Sequence, residues 1–103
     1  MKLNLRIADA AKQDLRDIWR GLAEFSGLDQ ADGQLMLVEK KFRLLCQFPE
    51  SGRQRPELQS ELRSLAVEKL VVFYRITEGA IEIVRVLDGR RDIENIFQDS
   101  ESP

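Results

Sequence analysis

Six arginines sit where they could do chemistry. Arg85, Arg90 and Arg91 gather around the end of an apolar run, and Arg53, Arg55 and Arg63 lie in or just after a Pro/Gly loop. A guanidinium presents a planar fork that clamps carboxylate or phosphate through two parallel hydrogen bonds. Asp88, Asp92, Glu57 and Glu82 alternate closely with these arginines. Pairing within the chain therefore competes with a clamp, and it is the favoured reading. Arg90 and Arg91 are adjacent, and both cannot be buried without several acceptors. At least one of them is expected to face solvent. Covalent and acid–base chemistry has few candidates. The chain has no histidine, one cysteine (Cys46) and one tyrosine (Tyr74). Without histidine the commonest general base and the commonest transition-metal ligand are missing. Cys46, near the end of an apolar helix run, reads as a buried thiol with nothing to activate it. No phosphate-binding glycine loop and no CxxC pair occurs. No catalytic residue, metal site or cofactor is expected.

The chain has 103 residues, enough for one domain and too few for two. Hydrophobic residues make up 43%, so a packed core is within reach. Sixteen Lys/Arg against eighteen Asp/Glu give a net charge of −2, spread evenly along the chain. No basic block grips nucleic acid by bulk charge, and no direct sequence-specific nucleic-acid binding is expected. A lone cysteine forms no internal disulfide, and no apolar run approaches membrane-spanning length. The expectation is a cytoplasmic protein without membrane contact.

The elements that must position these side chains are legible from periodicity. Leu3 to Ile7 alternates apolar and polar, which predicts a first strand. Asp9 is placed to cap a helix whose Ala11, Leu15, Ile18, Leu22 and Phe25 share one face. Gly27 ends it, and Asp29 is placed to start a second helix with the stripe Ala31, Leu35, Val38, Phe42 and Leu45. Pro49 stops that helix. Residues 49–61 read as a polar loop. Leu62–Val67, Leu70–Thr77 and Ile81–Leu87 read as an antiparallel meander ending at an Asp88-Gly89 turn. Asp92–Phe97 predicts one to two helical turns. The fold class is α+β: a strand and two-helix hairpin packed on an antiparallel sheet, with a short C-terminal helix. Residues 1–98 form a single domain and 99–103 a flexible polar tail.

Both sides of the Leu70–Thr77 strand are apolar. Leu70, Val72, Tyr74 and Ile76 point one way; Val71, Phe73, Arg75 and Thr77 point the other. One side meets the hairpin. The other exposes Phe73 unless the terminal helix or a partner chain covers it. Leu37 and Leu44, seven apart and away from the second helix's main stripe, form a candidate docking strip beside Lys40 and Lys41. Singly exposed leucines are the plainer alternative. Trp19 borders the first stripe, and partial burial is its plainer reading.

Taken in order, several pieces resemble the ParE branch of the RelE/ParE toxin family. They are Ala10, Ala11, Asp14, Leu15 and Ile18; Pro49 and Gly52; Arg55-Pro-Glu-Leu58; Leu62-Arg-Ser64; Val72-Phe-Tyr-Arg75; and Arg85-Val-Leu-Asp-Gly-Arg-Arg-Asp-Ile93. ParE-like sequences often carry His at the position of Asp88, a departure that leaves the turn intact. The resemblance implies a toxin of a bacterial type II toxin–antitoxin pair. It further implies that DNA gyrase is the target and that a ParD-type antitoxin binds and neutralises the chain. Under that reading Arg85, Arg90 and Arg91 are target-binding candidates. Trp19, Leu37, Leu44 and Phe73 are antitoxin-binding candidates. Two alternatives stand beside it: a RelE-like mRNA endonuclease acting on the ribosome, and a non-toxic module that only binds antitoxin. The nuclease needs a base for the 2′-hydroxyl and an acid for the leaving oxygen. The chain's end, Ile96-Phe97-Gln-Asp-Ser100, offers neither Tyr nor His.

Overall fold

The computed structural model describes residues 2–101, with side chains described through Gln98. Met1, Ser102 and Pro103 lie outside the described residues, and with them the end of the expected polar tail. The chain runs β1 (Asn4–Ile7), α1 (Asp9–Ser26), α2 (Leu28–Gln47), β2 (Arg53–Gln54), β3 (Arg63–Val67), β4 (Leu70–Thr77), β5 (Ala80–Asp88) and α3 (Ile93–Glu101). The five strands form one sheet in the order β1-β5-β4-β3-β2.

The meander pairs antiparallel as its turns require, but β1 lies parallel to β5, with Asn4 opposite Ala80 and Ile7 opposite Ile83. The sheet is therefore mixed. The crossover from β1 is the helical hairpin itself, which brings the chain back on one face of the sheet. The two-residue β2 falls within the polar loop expected over residues 49–61, because a pair of polar residues shows no period.

Helix caps differ from expectation. Ala8, not Asp9, is the N-cap of α1, and Gly27 serves both as C-cap of α1 and N-cap of α2. Gly27 has φ +94°, a conformation that other residues adopt only with strain. The hairpin thus turns on one residue, and Asp29 falls in the first turn of α2 rather than before it. Pro49 acts as predicted, with α2 ending at Gln47. α3 continues past Phe97 to Glu101, since nothing before Pro103 forbids a helix.

Two cores lie on opposite faces of the sheet. The first joins Ala11, Val38, Phe42, Leu45 and Cys46 of the hairpin to Val72, Tyr74, Ile81, Ile83 and Val86. The second joins Phe73 and Leu87 to Leu58 and Leu62 of the 55–62 connection and to Phe97 of α3. A bulge between Phe73 and Tyr74 shifts the β4–β5 register, so that Tyr74 faces Ile83 while Phe73 faces Arg85.

Candidate functional site

Asp14 decides what Arg85 does. It sits among the inward residues of α1 and is only 8% exposed. Its carboxylate accepts two hydrogen bonds from the Arg85 guanidinium, at 2.7 and 2.8 Å, and a third from the Val86 backbone N–H at 2.9 Å. β1 pairs with β5 only as far as Ile83. Beyond that point Asp14 stands in for a strand partner. The fork geometry raises the Arg85 pKa, chiefly through the hydrogen bonds to Asp14. Arg85 is thereby engaged in holding α1 to the sheet, with a partner outside the acids that the sequence suggested. A readable signal existed: an aspartate between Ala11 and Ile18, on the buried side of an amphipathic helix, needs a cation.

The turn after β5 is built by Asp88. Its carboxylate accepts the Arg90 backbone N–H at 2.9 Å and the Arg90 guanidinium at 3.1 and 3.0 Å. These bonds hold the Asp88 pKa down at about 2. The Arg90 side chain remains 83% exposed. Arg91 is also exposed, its backbone N–H donating to the Asp88 carbonyl. No ion pair engages the Arg91 side chain among the described residues. The three candidate arginines therefore split: Arg85 is structural, while Arg90 and Arg91 face solvent.

On the face opposite the hairpin, Phe73 is fully buried. Phe97 meets it edge-on at 4.9 Å, and the Arg55 guanidinium lies 5.7 Å from its ring centroid. Phe73 offers no exposed surface, because α3 and the 55–62 connection cover it. The other half of the candidate chemistry is equally occupied. The Tyr74 hydroxyl donates to the Pro49 carbonyl at 2.7 Å and accepts the Gly52 N–H at 2.8 Å. Burial pushes its pKa up. A Cβ at Gly52 would stand 2.6 Å from the Tyr74 ring, so this loop must carry glycine. Arg55 pairs with Glu57, and the Arg63 guanidinium donates to the Gly52 carbonyl.

The hairpin side is open. α1 packs on the first core through Ala11, Leu15 and Ile18, but Leu22 is half-buried and Phe25 is 89% exposed. The stripe predicts that Phe25 turns inward; the first core instead takes up α1 only as far as Ile18. The result is a cavity of about 660 Å³ lined by Ile18, Leu22, Phe25 and Leu70, with Glu68, Lys69, Asp88 and Arg90 among its charged neighbours. Leu28, at the tip of the hairpin, is also exposed. Of the other antitoxin candidates, Trp19 is half-buried and donates its indole N–H to Asp32 across the hairpin at 2.9 Å. Leu37 is exposed and Leu44 half-buried on α2. The structure does not bring Phe73 together with the other three. The Ile18–Phe25 side of the cavity was not singled out as a partner surface, because its stripe reads as ordinary core.

This arrangement has counterparts. A model of a known family, described as the ParE toxin of the type II toxin-antitoxin system parDE, matches residues 5–93. The chain belongs to the ParE toxin family. It is 36% identical over 80 residues to Toxin ParE3 of Caulobacter vibrioides, covering 78% of this chain and 80% of the relative. It is 33% identical over 89 residues to Toxin ParE1 of Mycobacterium tuberculosis, covering 85% and 91%. Among solved structures, a chain of the chromosomal ParDE system of P. aeruginosa superimposes with a TM-score of 0.74 at 21% identity, over 84% of this chain and 96% of that one. Free E. coli RelE superimposes with a TM-score of 0.60 at 15% identity over the whole of both chains. These two establish the shared fold.

As a ParE-family toxin of a type II toxin–antitoxin system, the chain has the RelE/ParE architecture with one face closed and one open. Among the described residues no cluster of His, Cys, Asp and Glu could hold a metal ion. Among these residues, too, no helix is long and apolar enough to cross a membrane.

Proposed function

We propose that this ParE-family toxin acts by binding, with DNA gyrase as its target, and that a ParD-type antitoxin neutralises it. The observation that carries the reading is the open apolar cavity on the hairpin side of a family member. A contiguous apolar surface at the end of a folded sheet is what a partner covers. The chromosomal ParDE system of P. aeruginosa, a chain of which is similar in fold, is a toxin–antitoxin system. Binding without chemistry is supported by the employment of the polar groups. Tyr74 is locked between Pro49 and Gly52, Arg85 is locked on Asp14, and the Phe73 face is filled. Arg90 and Arg91 remain as cations that can meet an acidic surface on the target.

Induction of the chain alone is expected to stop growth. Co-induction with the short reading frame that neighbours it restores growth. Purified protein is expected to inhibit supercoiling by gyrase while leaving mRNA on translating ribosomes intact. Codon-specific cleavage of that mRNA would transfer the protein to the endonuclease reading. Growth unaffected by the chain alone, with the neighbour still bound, would make it a binding module.

A further inference from the structure

The turn after β5 treats its two adjacent arginines differently. Arg90 spends its guanidinium on Asp88, donating to both carboxylate oxygens at 3.1 and 3.0 Å. Its charge is neutralised at the turn itself, and an approaching acid meets Asp88 beside it. Arg91 is exposed, and among the described residues no carboxylate lies within ion-pair distance of it. Two nearby acids that could have quenched it are employed elsewhere. Asp88 holds Arg90, and the Asp92 carboxylate accepts the Asn95 backbone N–H at 3.3 Å at the start of α3.

The backbone on both sides of Arg91 is fixed. Its own N–H donates to the Asp88 carbonyl at 3.1 Å, and the Gly89 N–H donates to the Lys69 carbonyl at 2.9 Å. Two residues on, Ile93 packs against the second core. A guanidinium carried on an anchored backbone loses less freedom on binding than one on a loose loop. Its planar fork is uncommitted and fits a carboxylate through two parallel hydrogen bonds.

We infer that Arg91 is the arginine that contacts the target, clamping a carboxylate on the target protein's surface. Arg90 is a positioning residue: it shapes the turn and keeps the Asp88 carboxylate from capturing Arg91. A protein carboxylate is favoured over the phosphates of DNA. The segment around Arg91 also carries Asp88, Asp92 and Glu94, and the chain's net charge is −2. A polyanion would meet those acids together with Arg91, whereas a single carboxylate need meet only the fork. The inference rests on the gyrase-binding reading above and narrows it to one side chain and one chemistry.

Inhibition of supercoiling by the purified full-length chain is titrated beside calorimetric binding to DNA-free gyrase. Arg91→Ala, with an unchanged melting temperature, is expected to weaken both by at least about tenfold. Arg91→Lys keeps the charge but not the fork and is expected to stay at least about threefold weaker than the parent. Asp88→Asn combined with Arg90→Ala removes both charges of the pair, while the introduced amide can still accept the backbone N–H of residue 90. This double variant is expected to inhibit at least about threefold more strongly than Arg91→Ala. Arg43→Ala, at an exposed position of α2, serves as the control and is expected to match the parent. An Arg91→Ala protein that inhibits like the parent overturns the inference and leaves the gyrase reading standing. A double variant as weak as Arg91→Ala gives the contact to Arg90 and also overturns it. Arg91→Lys equal to the parent reduces the contact to charge alone and overturns the clamp. A loss confined to assays containing DNA assigns the contact to phosphate and overturns the carboxylate. A parent that neither binds nor inhibits gyrase sinks the reading and the inference with it.

Discussion

The two faces of the sheet receive apolar side chains from the same strands and meet different fates. Opposite the hairpin, Phe73 and Leu87 are roofed by Phe97, Leu58 and Leu62, all supplied by the chain. On the hairpin side the core is complete beneath Ile18 and then stops, leaving Leu22 half-buried and Phe25 in solvent. The difference lies in the cover. α3 is short and packs Phe97 into the second core, whereas α1 is 18 residues long and continues beyond Ile18, its last residue packed on the first core. An apolar helix face that runs on past the core gains little from folding alone. A partner chain that covered it would supply the burial that folding leaves out.

The severest way to break this contrast is Phe73→Ala. Removing a fully buried ring that meets both Phe97 and Arg55 is expected to cost about 3–5 kcal/mol, read by urea denaturation. The antitoxin affinity of the protein that remains folded should be unchanged. If affinity falls while stability holds, the closed face is a partner surface after all. Next comes Asp14→Ala, which removes three hydrogen bonds involving a buried carboxylate. A loss of about 1.5–3 kcal/mol is expected, together with faster hydrogen exchange at the Val86 amide. An unchanged Val86 exchange rate would mean that Asp14 does not hold the sheet edge.

Phe25→Ala tests the open side. Stability should stay within about 0.5 kcal/mol of the parent, as for an exposed position. Antitoxin binding should weaken by at least about tenfold, or 1.4 kcal/mol. A destabilisation comparable to that of Phe73→Ala would erase the distinction between the faces. The smallest effect concerns the rim. Arg90→Ala should let the Asp88 pKa return from about 2 toward 3.8, followed by NMR of the carboxyl carbon. Because the folded pKa is depressed, the pair's contribution is fully present above 3.8 and is lost as pH falls through about 2. Melting temperatures of parent and variant should therefore differ only slightly above 3.8 and converge in stronger acid. An Asp88 pKa already at 3.8 in the parent would mean that the turn is not held by this pair.

Periodicity made most of the fold readable. The stripe of α2, that of α1 as far as Ile18, the alternation in β4 as far as Tyr74 and the stop at Pro49 are local signals that appear where expected. What escaped depended on distant partners. The parallel pairing of β1 with β5 leaves no mark in Asn4–Ile7, and a two-residue strand has no period at all. The site was half legible. That at least one of Arg90 and Arg91 faces solvent followed from the cost of burying adjacent guanidinium groups; both do. Arg85 did not reveal its partner, because Asp14 lies far away in sequence. Phe25 reads as core in a helical wheel, whereas the first core takes up α1 only as far as Ile18 and leaves Phe25 in water.

The Asp14–Arg85 pair closes a span of 71 residues, and β1 likewise depends on β5 for its only strand partner. A chain emerging from a ribosome at about 5–20 residues per second carries its first strand and helix for roughly 4–14 s before their counterparts exist. During that interval the hairpin has no sheet to rest on, and the Arg90 turn has not been made. A truncated product of this gene is therefore expected to be a harmless fragment for proteolysis. On the proposed function, activity is expected only when synthesis is almost complete, several seconds after the hairpin emerges.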